Sequence, residues 1–253
     1  MSEQGYTYGR VVWRELMTRD VAKVRPFYAG LFGWTYEDVQ MGQSGTYTLI
    51  HLGGKQIGGM WQMSPDQKGT SLWMSYVSVP DVDAAARTAV RLGGKVVRGP
   101  ADIPDIGRFA VLQDFSGALL VAFHDFKGDP TPEPPKPGEF CWESLGTPDI
   151  PRAKEFYAAL FGWKAIKGWS EDGGLFTTDG TKAGQAASFQ DIKEFTPIWV
   201  PHVRVEKLGP ACDRAAELGG EVTAFITEPS LGRFAVVVDP AGGQLSLFGP
   251  AGR

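Results

Sequence analysis

The feature that most constrains this chain is an internal duplication. The segment FYAGLFGW at residues 27–34 returns as FYAALFGW at residues 156–163, with seven of eight positions identical. The pentapeptide GRFAV at residues 107–111 returns unchanged at residues 232–236. The two offsets, 129 and 125 residues, are far longer than the roughly 20–50 residues of solenoid repeats. The sequence therefore predicts two tandem domains with the same fold.

A proline-rich segment separates the two copies. Residues 129–138 have the sequence DPTPEPPKPG and contain five prolines. Proline lacks the backbone N–H that helices and sheets use, and its fixed φ favours an extended, semi-rigid spacer. We therefore expect a first domain at residues 1–125, a linker at residues 126–138 and a second domain at residues 139–253.

The composition predicts a globular protein and excludes several classes of partner. Apolar residues make up 43% of the 253 residues and charged residues 21%, which is enough apolar surface for packed cores. A net charge of −4 argues against nucleic acid or an anionic membrane as a partner. No apolar run approaches the roughly 20 residues of a membrane helix, and the cysteines Cys141 and Cys212 are too few for a disulfide scaffold. We expect a cytoplasmic monomer or homodimer with a small-molecule ligand or substrate.

Each copy has the same predicted order of elements: strand, helix, several strands, helix, several strands. Asp20 and Asp149 occupy helix N-cap positions, and glycines follow the helical segments. Alanine-rich segments at residues 82–92 and 208–218 predict the second helix of each copy. The pattern predicts an α+β protein with two βαβββ units in each copy.

The repeated motifs resemble the vicinal oxygen chelate superfamily, which includes glyoxalase I, bleomycin- and fosfomycin-resistance proteins and extradiol dioxygenases. The resemblance is carried by the capping aspartates, the two FYAxLFGW segments, and the turns at residues 114–117 and 239–242. It implies tandem glyoxalase-like domains, each built from two βαβββ units that form a cupped mixed sheet with helices outside. It also implies a divalent metal held by His, Gln or Glu on the inner face of the sheet.

The positions that this resemblance assigns to metal ligands carry unsuitable side chains here. They are Trp13, Met74 and Val121 in the first copy and Trp142, Val200 and Ser246 in the second. Hard divalent ions bind imidazole, carboxylate or carbonyl donors, which these six side chains do not supply. We therefore expect no bound metal and no other cofactor.

Glu15 is the candidate acid/base residue. Side chains alternate along a strand, so Trp13, Glu15 and Met17 share one face, which the resemblance places inside the cavity. Burial beside an indole raises a carboxyl pKa and makes a glutamate useful for proton transfer near neutral pH. The matching residue in the second copy is Ser144, so the two cavities are predicted to differ. A structural ion pair between Glu15 and an arginine is the alternative.

Tyr76 and His202 occupy matching positions on later strands, where either could give a proton or a hydrogen bond to a bound oxygen atom. Arg108 and Arg233 could bind a carboxylate or enolate oxygen, or form a structural salt bridge. Aromatic residues could line apolar cavities or belong to the ordinary core. These aromatic residues are Trp13, Trp61, Trp73, Trp142 and Trp199.

Three classes of function are compatible with these residues. The first is a metal-independent lyase or isomerase for a small, methylglyoxal-like carbonyl or dicarbonyl compound, with Glu15 and Tyr76 as catalytic residues. The second is a binding or drug-sequestering protein of the bleomycin-resistance type, without catalysis. The third is a metal enzyme with displaced ligands among His51, His124, His202 or Glu15.

Overall fold

The helices and strands of the protein follow the duplication. A computed structural model describes residues 5–42, 45–166, 175–177, 186–191, 196–228 and 232–249. The first copy contains β1 (Val11–Thr18), α1 (Val21–Phe32), β2 (Thr35–Gln40), β3 (Thr46–Leu52), β4 (Lys55–Gln62), β5 (Leu72–Ser78), α2 (Val82–Arg91), β6 (Lys95–Ile103), β7 (Gly107–Gln113) and β8 (Leu119–Asp125). The second copy contains β9 (Phe140–Thr147), α3 (Ile150–Phe161), β10 (Lys164–Ile166), β11 (Leu175–Thr177), β12 (Ala186–Asp191), β13 (Ile198–Arg204), α4 (Leu208–Glu217), β14 (Glu221–Glu228), β15 (Gly232–Val238) and β16 (Gln244–Gly249).

These elements form four βαβββ modules. Strands β1 to β8 belong to one mixed sheet and β9 to β16 to a second. The strand orders within the modules are β2-β3-β4-β1, β5-β8-β7-β6, β10-β11-β12-β9 and β13-β16-β15-β14. In each module the first strand pairs in parallel with the last, because the helix carries the chain across before the antiparallel strands follow. The predicted α+β class with two βαβββ units in each copy is confirmed.

The helix ends follow the predicted caps. The Asp20 carboxylate accepts a hydrogen bond from the backbone N–H of Lys23 at 2.9 Å, and Asp149 caps α3 in the same way. Gly33 ends α1 with φ 74°, a left-handed conformation that glycine adopts without strain. Pro26 lies within α1 at an exposed position, and α1 nevertheless begins at Val21. In the described part of the chain, no helix is both long and apolar enough to cross a membrane.

The chain forms two compact units, and each unit contains one module from each copy. Unit 1 consists of Met1–Val12, Met74–Glu133 and Trp142–Trp199, and unit 2 of Trp13–Trp73, Pro134–Cys141 and Val200–Arg253. Unit 1 therefore joins the second module of the first copy to the first module of the second copy, and unit 2 joins the other two modules. The boundaries 1–125, 126–138 and 139–253 describe the repeat in the sequence, and autonomous folding of each copy stays a prediction.

A buried tyrosine–aspartate pair joins the two modules of unit 2. The hydroxyl of Tyr28 donates to the Asp239 carboxylate at 2.7 Å and accepts from the indole N–H of Trp73 at 3.1 Å. Asp239 also accepts from the backbone N–H groups of Ala241 and Gly243, which closes its turn. Burial raises the pKa of Tyr28 well above its usual range, so this hydroxyl keeps its proton and donates.

The same arrangement recurs in unit 1. The hydroxyl of Tyr157 donates to the Asp114 carboxylate at 2.8 Å and accepts from Trp199 Nε1 at 2.9 Å. In both units a tyrosine from the FYAxLFGW segment of one copy contacts the turn aspartate of the other copy. The recurrence of these two motifs therefore has a structural cause, because each supplies half of a buried hydrogen-bonded pair.

Candidate functional site

The two faces of β1 differ in burial, and this difference defines the candidate site. Leu16 is fully buried in the core of unit 2, and Arg14 and Thr18 share its face. Trp13, Glu15 and Met17 point to the opposite face and are half-buried. The structure therefore places Glu15 on the face of β1 that is turned away from the core of unit 2.

Strands β3 and β4 extend this face. Glu15 is paired with Gly59 and Met17 with Trp61 across β1 and β4, while Trp61 is also paired with Tyr47 on β3. Paired residues on neighbouring strands point to the same face of a sheet. Six of the half-buried side chains on this face are together named here the N-terminal open face: Trp13, Glu15, Met17, Tyr47, Leu49 and Trp61.

Tyr47 crosses the middle of the N-terminal open face. Its hydroxyl oxygen accepts a hydrogen bond from Trp13 Nε1 at 2.9 Å, and its ring centroid lies 5.8 Å from that of Trp61. A Cβ atom added to Gly59 would overlap the Tyr47 hydroxyl oxygen. Tyr47 therefore lies directly over Gly59, whose register partner on β1 is Glu15. The sequence reasoning missed both Tyr47 and Gly59.

Tyr76, the second predicted catalytic residue, lies on β5 in unit 1, whereas Glu15 lies in unit 2. Its side chain is buried, its ring makes an edge contact with Phe123 at 5.6 Å, and its partner on β8 is Val121. Within its unit the Tyr76 ring therefore contacts the apolar residue Phe123, and a catalytic role for Tyr76 stays a prediction.

The five predicted tryptophans separate into two groups. Trp73 and Trp199 are fully buried core residues whose indole N–H groups are bonded to tyrosine hydroxyls. Trp13, Trp61 and Trp142 are half-buried and retain accessible ring surface. On β9, Trp142 is two residues from Ser144, which is buried. Half-buried rings are therefore better placed than Trp73 and Trp199 to contact a ligand.

Arg108 forms an ion-pair network at the surface of unit 1. Its guanidinium donates to Asp83 and to Asp102, each at 2.7 Å, and it shares the β7 face of the core residues Ala110 and Leu112. The Arg108 hydrogen bond lowers the pKa of Asp83. This is the structural salt bridge that the sequence left open for Arg108. Its repeat partner, Arg233, is exposed on β15.

His202 lies on β13 in unit 2 with only 1% of its surface exposed. Its ring makes an edge contact with Phe234 at 5.0 Å, and its partner on β16 is Ser246, whose hydroxyl donates to the Ala235 carbonyl oxygen. Burial lowers the pKa of His202 to about 3, so the imidazole is neutral near pH 7.

The side chains present do not fit a divalent metal at the positions that the resemblance assigns. Val121 and Ser246 are fully buried there, and neither valine nor a serine hydroxyl bonded to a backbone carbonyl is a ligand for such an ion. His51 lies 3.3 Å from Glu37, and His124 Nδ1 lies 3.0 Å from the Val79 carbonyl oxygen. Across the ranges that the structure describes, no group of three or more His, Cys, Asp or Glu residues could hold a metal ion.

Tandem βαβββ modules, with mixed sheets and a parallel first and last strand in each module, define the glyoxalase-like class of α+β proteins. Two family models match the chain: the Glyoxalase/Bleomycin resistance protein/Dioxygenase superfamily at residues 9–121 and the Glyoxalase-like domain at residues 141–248. The chain belongs to the Glyoxalase/Bleomycin resistance protein/Dioxygenase superfamily.

Relatives match over nearly the whole chain. "Putative glyoxylase CFP32" of Mycobacterium tuberculosis is 30% identical over 254 residues, covering 97% of each chain. "Anthracycline biosynthesis protein DauV" of Streptomyces sp. (strain C5) is 29% identical over 256 residues, covering 94% of this chain and 92% of that protein.

Solved structures share the fold at low sequence identity. The Mn(II)-bound glyoxalase from Novosphingobium aromaticivorans has a TM-score of 0.64 at 14% identity and covers 97% of this chain and 83% of its own. The 2,3-dioxygenase LapB from Pseudomonas sp. KL28 has a TM-score of 0.63 at 14% identity, covering 93% and 90%. At this identity the similarity supports the fold alone.

Proposed function

We propose that this protein is a metal-independent lyase or isomerase that acts on a small, methylglyoxal-like carbonyl or dicarbonyl compound. The observation that carries the proposal is that Glu15 shares the N-terminal open face with half-buried indole and thioether side chains. Trp13, Met17 and Trp61 bind the substrate there. The unsuitable side chains at the family's metal positions support a reaction that uses protein groups alone.

The chemistry requires one base and one hydrogen-bond donor. Glu15 removes a proton from the carbon next to the carbonyl, and a donor stabilises the negative charge that develops on the carbonyl oxygen. Return of the proton to a neighbouring atom completes an isomerisation, whereas loss of a leaving group from the adjacent carbon completes a lyase reaction. Apolar walls exclude water and strengthen these electrostatic interactions.

A second candidate is a protein that binds a hydrophobic or aromatic small molecule without converting it. The half-buried rings of Trp13, Tyr47 and Trp61 on one face favour it, since aromatic walls bind flat or apolar ligands. The relative DauV is named for anthracycline biosynthesis, which is compatible with an aromatic ligand. Tight binding without any proton transfer would support this candidate.

The proposal is tested by following α-proton exchange. Each protein is incubated with butane-2,3-dione in D₂O, and ¹H NMR measures the loss of the methyl signal. The wild type should accelerate exchange above the buffer rate, and Glu15→Gln should slow the catalysed exchange by about 10²–10⁴-fold, as expected for loss of one acid/base group.

Ser144→Ala is the matched control, because Ser144 occupies the Glu15 position in the second copy. We expect this variant to retain wild-type exchange. Equal losses in the two variants, or wild-type exchange in Glu15→Gln, would make Glu15 a structural residue and favour the binding protein. Circular dichroism of each variant shows whether it is folded.

A further inference from the structure

We propose that Tyr47 donates the hydrogen bond to the substrate carbonyl oxygen on the N-terminal open face, and that Tyr47 and Trp61 select a carbonyl conjugated to an aromatic ring. This inference rests on the proposed function of the same face and names its donor and its substrate class. Neither feature follows from the family's metal positions, since Tyr47 lies on β3 and none of those positions is on that strand.

The direction of the Tyr47 hydroxyl proton follows from the Trp13 contact. An indole N–H can only donate, so the Tyr47 oxygen must accept in the 2.9 Å bond to Trp13 Nε1. The hydroxyl proton of Tyr47 is therefore directed to an acceptor other than Trp13. The Trp13 hydrogen bond also holds the phenol in place and strengthens it as a donor.

The position of the hydroxyl relative to Glu15 follows from the strand register. The Tyr47 oxygen lies where a Cβ atom of Gly59 would stand, and Gly59 is the β4 partner of Glu15. Neighbouring strands are about 4.8 Å apart, so the hydroxyl lies about one strand spacing from the Cβ of Glu15. A carbon acid fits this span with its α-hydrogen toward Glu15 and its carbonyl oxygen toward Tyr47.

Gly59 is the residue that permits this arrangement. Any side chain there would overlap the Tyr47 hydroxyl and displace it from the face. In the second copy the residue paired with Ser144 is Ser188, which has a Cβ atom. The second copy thus differs from the first at both the Glu15 and the Gly59 positions, and the proposed donor belongs to the first copy.

Selection for an aromatic substrate follows from the rings beside this hydroxyl. The rings of Tyr47 and Trp61 are 5.8 Å apart at an interplanar angle of 41°, and both are half-buried. Such rings present flat apolar surface within reach of a ligand whose carbonyl contacts the Tyr47 hydroxyl. Aromatic pairs contribute beyond their buried area, so a conjugated ring gains more here than an alkyl group.

A matched pair of compounds tests the inference by calorimetry. Butane-2,3-dione and 1-phenylpropane-1,2-dione share one dicarbonyl group and differ by a methyl or a phenyl substituent. The wild type should bind the phenyl compound at least about 10-fold more tightly. Tyr47→Phe keeps the ring but removes the donor, and should weaken binding of the phenyl compound by about 2–10-fold, the range of one neutral hydrogen bond. Trp61→Leu should reduce the preference for phenyl.

Tyr36→Phe is the control, because its hydroxyl donates to the Arg25 carbonyl oxygen, outside the N-terminal open face. We expect wild-type binding in this variant. Gly59→Ala, which displaces Tyr47 without removing it, should resemble Tyr47→Phe. The inference is overturned if Tyr47→Phe binds the phenyl compound with wild-type affinity. It is also overturned if the wild type shows no preference for the phenyl compound or no measurable binding. Calorimetry measures binding and requires no turnover, so it tests this inference independently of catalysis. If Glu15→Gln leaves the rate of α-proton exchange unchanged, only the proposed function is refuted.

Discussion

Removal of one hydroxyl group should reveal how the two modules of unit 2 are held together. Tyr28→Phe deletes the donor to Asp239 and the acceptor for Trp73 while keeping the ring that packs in the core. Tyr28 and Asp239 come from different copies, so the substitution affects a contact between modules. We expect a loss of stability much larger than that of an ordinary surface hydroxyl.

The magnitude follows from the groups that are left behind. A hydrogen bond to a charged group contributes roughly 1.5–3 kcal/mol, and a buried N–H without its acceptor costs about 1–3 kcal/mol. Asp239 keeps its bonds to the backbone of its own turn, which limits the cost on that side. The free energy of unfolding should therefore fall by about 2–4 kcal/mol. At roughly 2–4 °C per kcal/mol for chains of this size, Tm should fall by about 4–16 °C.

Urea titration and differential scanning calorimetry measure both quantities. Tyr36→Phe is the matched control, because it also deletes one tyrosine hydroxyl but removes a single hydrogen bond to a backbone carbonyl, at a cost of about 0.5–1.5 kcal/mol. Tyr157→Phe should reproduce the Tyr28→Phe effect through Asp114 in unit 1. Equal losses in Tyr28→Phe and Tyr36→Phe would show that the buried pair does not stabilise the unit as argued.

Two further predictions concern the linker and a buried histidine. Protease cleavage within residues 129–137 should leave fragments that co-elute in gel filtration, because each compact unit contains modules from both copies; separate elution would contradict this. The pKa of His202 is about 3 in the folded protein and 6.5 in the unfolded chain. The contribution of a neutral His202 to stability is therefore fully present above pH 6.5, and on acidification the free energy of unfolding falls by up to about 1.4 kcal/mol per pH unit. His202→Gln should flatten this slope in urea titrations between pH 4.5 and 7.5, and an unchanged slope would refute the assignment.

Local features of the fold could be predicted from the sequence because they depend on short segments. The Asp20 cap and the glycine that ends α1 follow from the hydrogen-bonding needs of helix ends and the conformational freedom of glycine. The recurrence of both motifs predicted the modular order. The pairing of modules could not be predicted, since the tyrosine of either copy fits the turn aspartate of either copy equally well.

The N-terminal open face was only partly predictable, because part of it depends on how distant segments pair. Alternation along β1 placed Glu15 with Trp13, but Tyr47 depends on the register of the β3–β4 hairpin. Its tight Gly53-Gly54 turn alone would pair Tyr47 with Met60, and a register shift next to Ile50 pairs it with Trp61 instead. A one-residue irregularity of this kind has no signal in the alternation of apolar residues.

The most direct test of the central claim is the rate of α-proton exchange before and after removal of metal ions. Wild-type protein is treated with a chelator, and its metal content is measured by mass spectrometry. The exchange of deuterium from D₂O into the methyl groups of butane-2,3-dione is then followed by NMR. We predict an unchanged rate with far less than one metal ion per chain, because Glu15 supplies the proton transfer. Loss of exchange on chelation, with recovery on addition of Mn²⁺, Ni²⁺ or Zn²⁺, would contradict the account.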